Sequence, residues 1–121
     1  MKKVLILDDE SSLRMMLRLI IQKAGDCDIH EAGTLAEAVT LCKGNKFDAI
    51  FLDHNVPDGV GWKLAEAIKE DPEPYGNPKL IGMSGSVPYD SKRQLFDFYM
   101  EKPFSAVDVM PRISGIISED T

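Results

Sequence analysis

Val4-Leu5-Ile6-Leu7-Asp8-Asp9 is an apolar run that ends in an acid pair, and Ala49-Ile50-Phe51-Leu52-Asp53 is a second run that ends in a third aspartate. Each reads as a buried strand finishing in a carboxylate. In an open parallel sheet, ligands collect beyond the carboxyl ends of the strands. The three side chains therefore predict one anionic pocket able to hold a hard cation.

Around these two runs, strand-like segments alternate with segments of helical period, the pattern of βα units wrapped on a parallel sheet. Five units are predicted. A strand over 3–7 precedes a helix over 11–23, with Ser11 or Ser12 as N-cap and Gly25 as the stop. A short strand over 29–32 follows, and Thr34 caps a helix whose Leu35, Ala38, Val39 and Cys42 share one face before Gly44. The third strand spans 47–52, Pro57-Asp58-Gly59 turns the chain, and Trp62, Leu64, Ala65 and Ile68 carry a third helix toward Lys69. Three prolines and a glycine make 71–78 a loop, before a fourth strand over 79–83. Pro88 suits the first turn of a fourth helix, a fifth strand covers 98–101, and a last helix runs over 105–117. In the first helix Leu13, Met16, Leu17, Ile20 and Ala24 form one core stripe, which leaves Met15 and Leu19 either covered by neighbours or available for docking.

The chain has 121 residues, 44% apolar and 28% charged, which suits one globular domain over 1–121 with its own core. A net charge of -6, with Lys2-Lys3 and Lys92-Arg93 the only adjacent basic pairs, argues against nucleic-acid binding. Cys27 and Cys42 follow no disulfide or metal-ligand spacing and read as reduced thiols filling space. The apolar run after Lys3 is cut by Asp8 before it reaches signal-peptide length, and no membrane span appears. A cytoplasmic setting is expected.

Two further polar residues fall at predicted strand ends: Ser84 after the fourth strand and Lys102, followed by Pro103, after the fifth. Singly, each has an ordinary explanation as a cap or a surface cation. Together with the aspartates they suit phosphoryl transfer to a carboxylate, where charge on the transferred oxygens must be neutralised and the reactants held in line. Asp9 and Asp53 would bind Mg2+ directly and Asp8 through water. Lys102 would neutralise one phosphoryl oxygen, and Ser84 would donate to another.

The ordered set resembles the receiver domain of two-component response regulators, and the resemblance covers essentially the whole chain. It rests on Val4 to Glu10, on Asp53-His54-Asn55-Val56-Pro57-Asp58-Gly59-Val60-Gly61, on Met83-Ser84-Gly85, on Lys102-Pro103-Phe104, and on Tyr99 three residues before the lysine. The resemblance implies a flavodoxin-like doubly wound fold with strand order 2-1-3-4-5. It also implies that Asp53 accepts phosphate from a histidine kinase or phosphotransfer protein with Mg2+, and that the Asn55 backbone carbonyl joins the metal ligands. Ser84 and Tyr99 would be the switch pair that signals to a downstream protein target, and Lys102-Pro103 would be cis.

Several positions depart from that pattern. Only 18 positions separate Ser84 from Lys102, and Leu95-Phe96 stands where the family carries Gly-Ala, so the fourth helix is expected to be short or irregular. His54 replaces an aliphatic residue and, by strand alternation, points away from Asp53 as a structural side chain. Asn55 and Ser86 are small and polar, and would admit the water that hydrolyses an aspartyl phosphate. With only a short tail after residue 117, a stand-alone receiver or phosphorelay intermediate is expected, although a receiver cut from a longer regulator would read the same.

Three other readings compete. A haloacid-dehalogenase-type phosphotransferase uses similar groups but places its nucleophile first. A receiver-shaped interaction module that is never phosphorylated would not need all five chemical positions filled. A flavin-binding flavodoxin would want a hydroxyl- and glycine-rich loop where Asp8-Asp9-Glu10 stands.

Overall fold

The computed structural model describes residues 1–85 and 93–118. Pro88, with the predicted fourth helix that it would open, and Ser86 lie outside the described residues. Five parallel strands form the central sheet: β1 Lys2–Leu7, β2 Cys27–Ala32, β3 Ala49–Asp53, β6 Lys79–Ser84 and β7 Phe98–Glu101, ordered β2-β1-β3-β6-β7. This is the expected 2-1-3-4-5 order, because the two intervening strands, β4 Asn55–Val56 and β5 Gly59–Val60, form a separate antiparallel hairpin. The predicted turn at Pro57-Asp58-Gly59 is the tip of that hairpin, with Gly59 at φ +148. Four helices are described: α1 Ser11–Ala24, α2 Leu35–Gly44, α3 Trp62–Glu70 and α4 Ala106–Ser118.

Strand alternation divides the apolar residues into two cores. Val4, Ile6, Phe51, Ile81 and Met83 pack on Leu17, Ile20 and Ile21 of α1 and on Val109, Ile113 and Ile117 of α4. Leu5, Leu7, Ile50, Leu52 and Leu80 pack on Ala38 and Cys42 of α2 and on Trp62, Leu64, Ala65 and Ile68 of α3. Each fully buried aliphatic side chain contributes about 1.5–3 kcal/mol against exposure. Both faces of the sheet are covered, which is why β1, β3 and β6 read as continuous apolar runs.

Several local expectations are corrected. Neither Ser11 nor Ser12 is the N-cap of α1; Glu10 is, with no side-chain cap, while its own N–H donates to Asp8 Oδ1 at 2.8 Å. Gly25 ends α1 with extended backbone (φ 171), so it stops the helix without the left-handed turn expected of a glycine there. Val39 lies 37% exposed and is not on the buried face of α2, where Leu41 packs instead. Ser84 is the last residue of β6, and the 71–78 loop carries a 3-10 turn over Glu73–Tyr75. On α1, Met15 and Leu19 stay 64% and 55% exposed, so neither the sheet nor α4 covers them. The Thr34 cap is as expected, its side chain accepting from the Glu37 N–H at 3.2 Å.

Both cysteines are free, and burial pushes the Cys42 thiol up to about 11, which suits a space-filling role. No helix among the described residues is long and apolar enough to cross a membrane.

Candidate functional site: an acidic pocket bridged by a lysine

Register brings the acids together. Leu7 pairs with Leu52 across β1 and β3, so the next residues, Asp8 and Asp53, emerge side by side. On the other flank Ser84 pairs with Glu101, and the Lys102 N–H donates to the Ser84 carbonyl at 2.7 Å. Four strand ends thus place Asp8, Asp53, Ser84 and Lys102 at one edge of the sheet. Asp8 is fully buried, and Asp53 and Ser84 nearly so.

Lys102 spans the acids. Its Nζ lies 2.8 Å from Asp8 Oδ2, 3.2 Å from Asp53 Oδ1 and 3.7 Å from Glu10 Oε1. Burial alone would lower the lysine pKa, but the hydrogen bond to Asp8 and the charges of Asp8 and Asp53 raise it above its usual value. Asp53 moves the other way from most paired carboxylates. Burial and then the Asp8 charge raise it to about 6, with Lys102 only partly opposing them. The peptide bond to Pro103 is cis, as expected.

The residues suit a hard cation. Carboxylate oxygens of Asp8, Asp9 and Glu10 lie within 4.8 Å of one another, an all-oxygen donor set of the kind magnesium prefers. A divalent cation beside Asp8 would also relieve the like-charge repulsion that holds Asp53 up. Asp9 is exposed and available. Asp53 Oδ1 faces Lys102 at 3.2 Å, and Glu10, which the sequence reading did not name as a ligand, stands beside Asp8 and Asp9. The only sequence sign of Glu10 was its place directly after Asp8-Asp9.

Other groups position these side chains. Arg14 on α1 donates through Nη1 to the Asp8 carbonyl at 2.6 Å and through Nε to Glu31 at 3.0 Å, and Arg18 joins Glu31 at 2.7 Å. A Cβ at Gly61 would overlap the Asp53 carbonyl oxygen, so only glycine lets the chain return there beside the end of β3. The Gly61 N–H donates to the His54 carbonyl at 2.8 Å, and the His54 N–H to the Met83 carbonyl at 2.9 Å. The His54 ring lies edge-on to Trp62 at 4.6 Å, on the Leu52 side of the sheet and away from Asp53 as expected. Tyr99 is half-buried, with its hydroxyl 3.5 Å from the Ser84 carbonyl and its ring 6.1 Å from Trp62. Asn55 is exposed at the start of β4.

The family model for the response regulator receiver domain matches residues 4–114. The chain belongs to that family. Receiver domains generally bind Mg2+ at an acidic pocket, and the Asp8-Asp9-Glu10 cluster has that character. Two similar proteins are the transcriptional regulatory protein YvrH of Bacillus subtilis, 28% identical over 114 residues, and SrrA of Staphylococcus aureus, 27% identical over 119. The alignments cover 91% and 95% of this chain but 46% and 47% of those proteins, so the receiver spans about half their length. Among solved structures, the receiver of a DNA-binding response regulator from Colwellia psychrerythraea superposes with TM-score 0.85 at 21% identity, covering 98% of this chain and all (100%) of that one. A CheY-like receiver from Methylobacillus flagellatus gives 0.81 at 24%, covering 96% and 98%. Both likenesses establish the flavodoxin-like receiver fold.

Proposed function

We propose that this receiver is a phosphorylation switch in which Asp53 takes a phosphoryl group from the phosphohistidine of a histidine kinase or phosphotransfer protein. The observation that carries the reading is the Asp8–Lys102–Asp53 bridge at the ends of β1 and β3. Attack by an Asp53 oxygen forms the O–P bond as the P–N bond of the donor breaks, and the imidazole leaves with its electron pair. Lys102 would follow the charge onto a phosphoryl oxygen, and the hydroxyl of the nearly buried Ser84 would donate a hydrogen bond to another. Mg2+, held by Asp8, Asp9, Asp53 and the Asn55 carbonyl, with Glu10 as a further donor, would neutralise the dianionic group. A groove lined by Glu10, Leu13, Gly85, Lys102, Pro103 and Phe104 opens beside the lysine and suits the approach of a donor side chain.

Phosphorylation then shifts the population toward a state in which Ser84 and Tyr99 are drawn to the phosphoryl group, and that state signals to a protein target. The chain acts as a switch that assists its own loading and unloading rather than as a turnover enzyme, and as a cytoplasmic protein that does not itself contact nucleic acid. Exposed Asn55, together with Ser86, would admit the attacking water and set the lifetime. Bulky replacements at both positions should slow decay, and an unchanged rate would remove them from that role.

The deciding experiment is intact-protein mass spectrometry after incubation with acetyl phosphate or phosphoramidate, with and without Mg2+, on wild type and Asp53→Asn. A Mg2+-dependent phosphoryl adduct that disappears in Asp53→Asn is expected. Absence of an adduct in wild type under conditions of slow decay would favour the unphosphorylated interaction module.

A further inference from the structure

We propose that Trp62 is the positioning residue that couples Asp53 to Tyr99, an inference that rests on Asp53 being the phosphoryl acceptor. One indole touches both flanks of the acceptor and the switch ring. Its Nε1–H donates to the Leu52 carbonyl, one residue before Asp53, at 3.1 Å in a buried hydrogen bond. Its ring meets His54, one residue after Asp53, at 4.6 Å and 70°, and meets Tyr99 at 6.1 Å and 79°. Both are edge-to-face contacts of the kind that hold rings in a fixed mutual orientation.

Trp62 is itself held from outside. Phe96 lies 4.8 Å from it, and the Phe96 ring occupies the space that a Cβ on Gly82 of β6 would need, with contacts of 2.8–2.9 Å. Glycine on the strand and phenylalanine in the segment before β7 thus make a complementary pair. The indole cannot tilt without moving Phe96, Tyr99 or the backbone beside Asp53. A closely packed ring network of this kind has discrete arrangements rather than a continuum, so a change at the acceptor reaches Tyr99 through the indole.

The test is NMR of ring-labelled tyrosine, with the Tyr99 signal assigned by Tyr99→Phe, before and after addition of Mg2+ and beryllium fluoride as the aspartyl-phosphate mimic. Wild type should show a Tyr99 shift that is absent in Asp53→Asn. In Trp62→Phe, which keeps a ring but loses the N–H, Asp53 should still take up the mimic at saturation, while the Tyr99 shift falls to about half or less. Phe96→Leu, which leaves the indole in place but removes its brace, should reduce the shift in the same direction. A full Tyr99 shift in both variants, or no shift in a wild type that binds the mimic at Asp53, overturns the coupling. Failure of wild type to bind the mimic at all overturns instead the assignment of Asp53 as acceptor, and the coupling with it.

Discussion

Lys102 Nζ stands 2.8 Å from Asp8 Oδ2, across 94 positions of sequence, and closes the top of the sheet like a clasp. The same ammonium reaches Asp53, so one cation faces two buried carboxylates. Removing it leaves two adjacent negative charges in a dry site. Lys102→Met should therefore destabilise the protein at pH 7 by about 2 kcal/mol, the lysine being partly open to solvent. Because the lysine pKa is raised in the fold, its contribution is complete below the usual lysine value and fades only in strong alkali. Urea denaturation of wild type and variant at pH 7 checks this, and equal stability would refute it.

Asp53 carries the opposite sign. Its pKa of about 6 lies above the usual carboxylate value, so the folded state holds this proton more tightly than the unfolded chain does. The stabilising contribution is complete below about pH 4 and is lost as pH rises through about 6, above which the charged group opposes folding by roughly 1–3 kcal/mol. Without divalent cations, Asp53→Asn should be more stable than wild type at pH 7 and indistinguishable from it near pH 4. Denaturation curves at the two pH values decide; a constant difference would show that Asp53 is not held up by Asp8 and burial.

Gly61 predicts a sharp asymmetry among glycines. Gly61→Ala forces a methyl group into the Asp53 carbonyl and should cost about 2 kcal/mol or more. Gly44→Ala meets open space at the end of α2 and should be neutral or stabilising by up to about 1 kcal/mol. Thermal melts of the two variants check the pair.

Asp58, at the tip of the β4–β5 hairpin, accepts from the Leu35 and Ala36 N–H groups at 2.7 and 2.9 Å and so latches the segment after Asp53 to the N-terminus of α2. These two hydrogen bonds lower its pKa, and the latch should weaken as acid takes the pH down through that lowered value. Asp58→Ala should speed hydrogen exchange at Leu35 and Ala36 and lower the melting temperature at neutral pH. Unaltered exchange at those amides would show that the Thr34 and Glu37 caps suffice.

Gly82 and Phe96 should behave as one unit. Gly82→Ala alone crowds the Phe96 ring and should cost about 1–3 kcal/mol. The same substitution in a Phe96→Ala background should cost much less, and a double-mutant cycle by urea denaturation measures the difference. Additive effects would mean that the ring moves aside freely.

The central strands and the acid edge were legible in sequence because burial of a parallel sheet on both faces demands unbroken apolar runs, and the residues ending those runs stand out as polar; the strand order came from the family resemblance alone. Asp8, Asp53, Ser84 and Lys102 were legible for that reason. The N-terminus of α1 was not: Ser11 and Ser12 look like caps, but Asp8 already accepts the Glu10 N–H, so local propensity lost to a hydrogen bond made by the site. The direction of Asp53 toward Lys102 and the union of Trp62, Phe96 and Gly82 depend on which side chains meet across the sheet. No periodicity encodes those meetings. Local pattern specifies which face a residue takes, because side-chain direction follows from the backbone period. Which partner waits on that face, and how charge is shared among groups 94 positions apart, is decided only when strand register and helix packing bring them within a few ångströms.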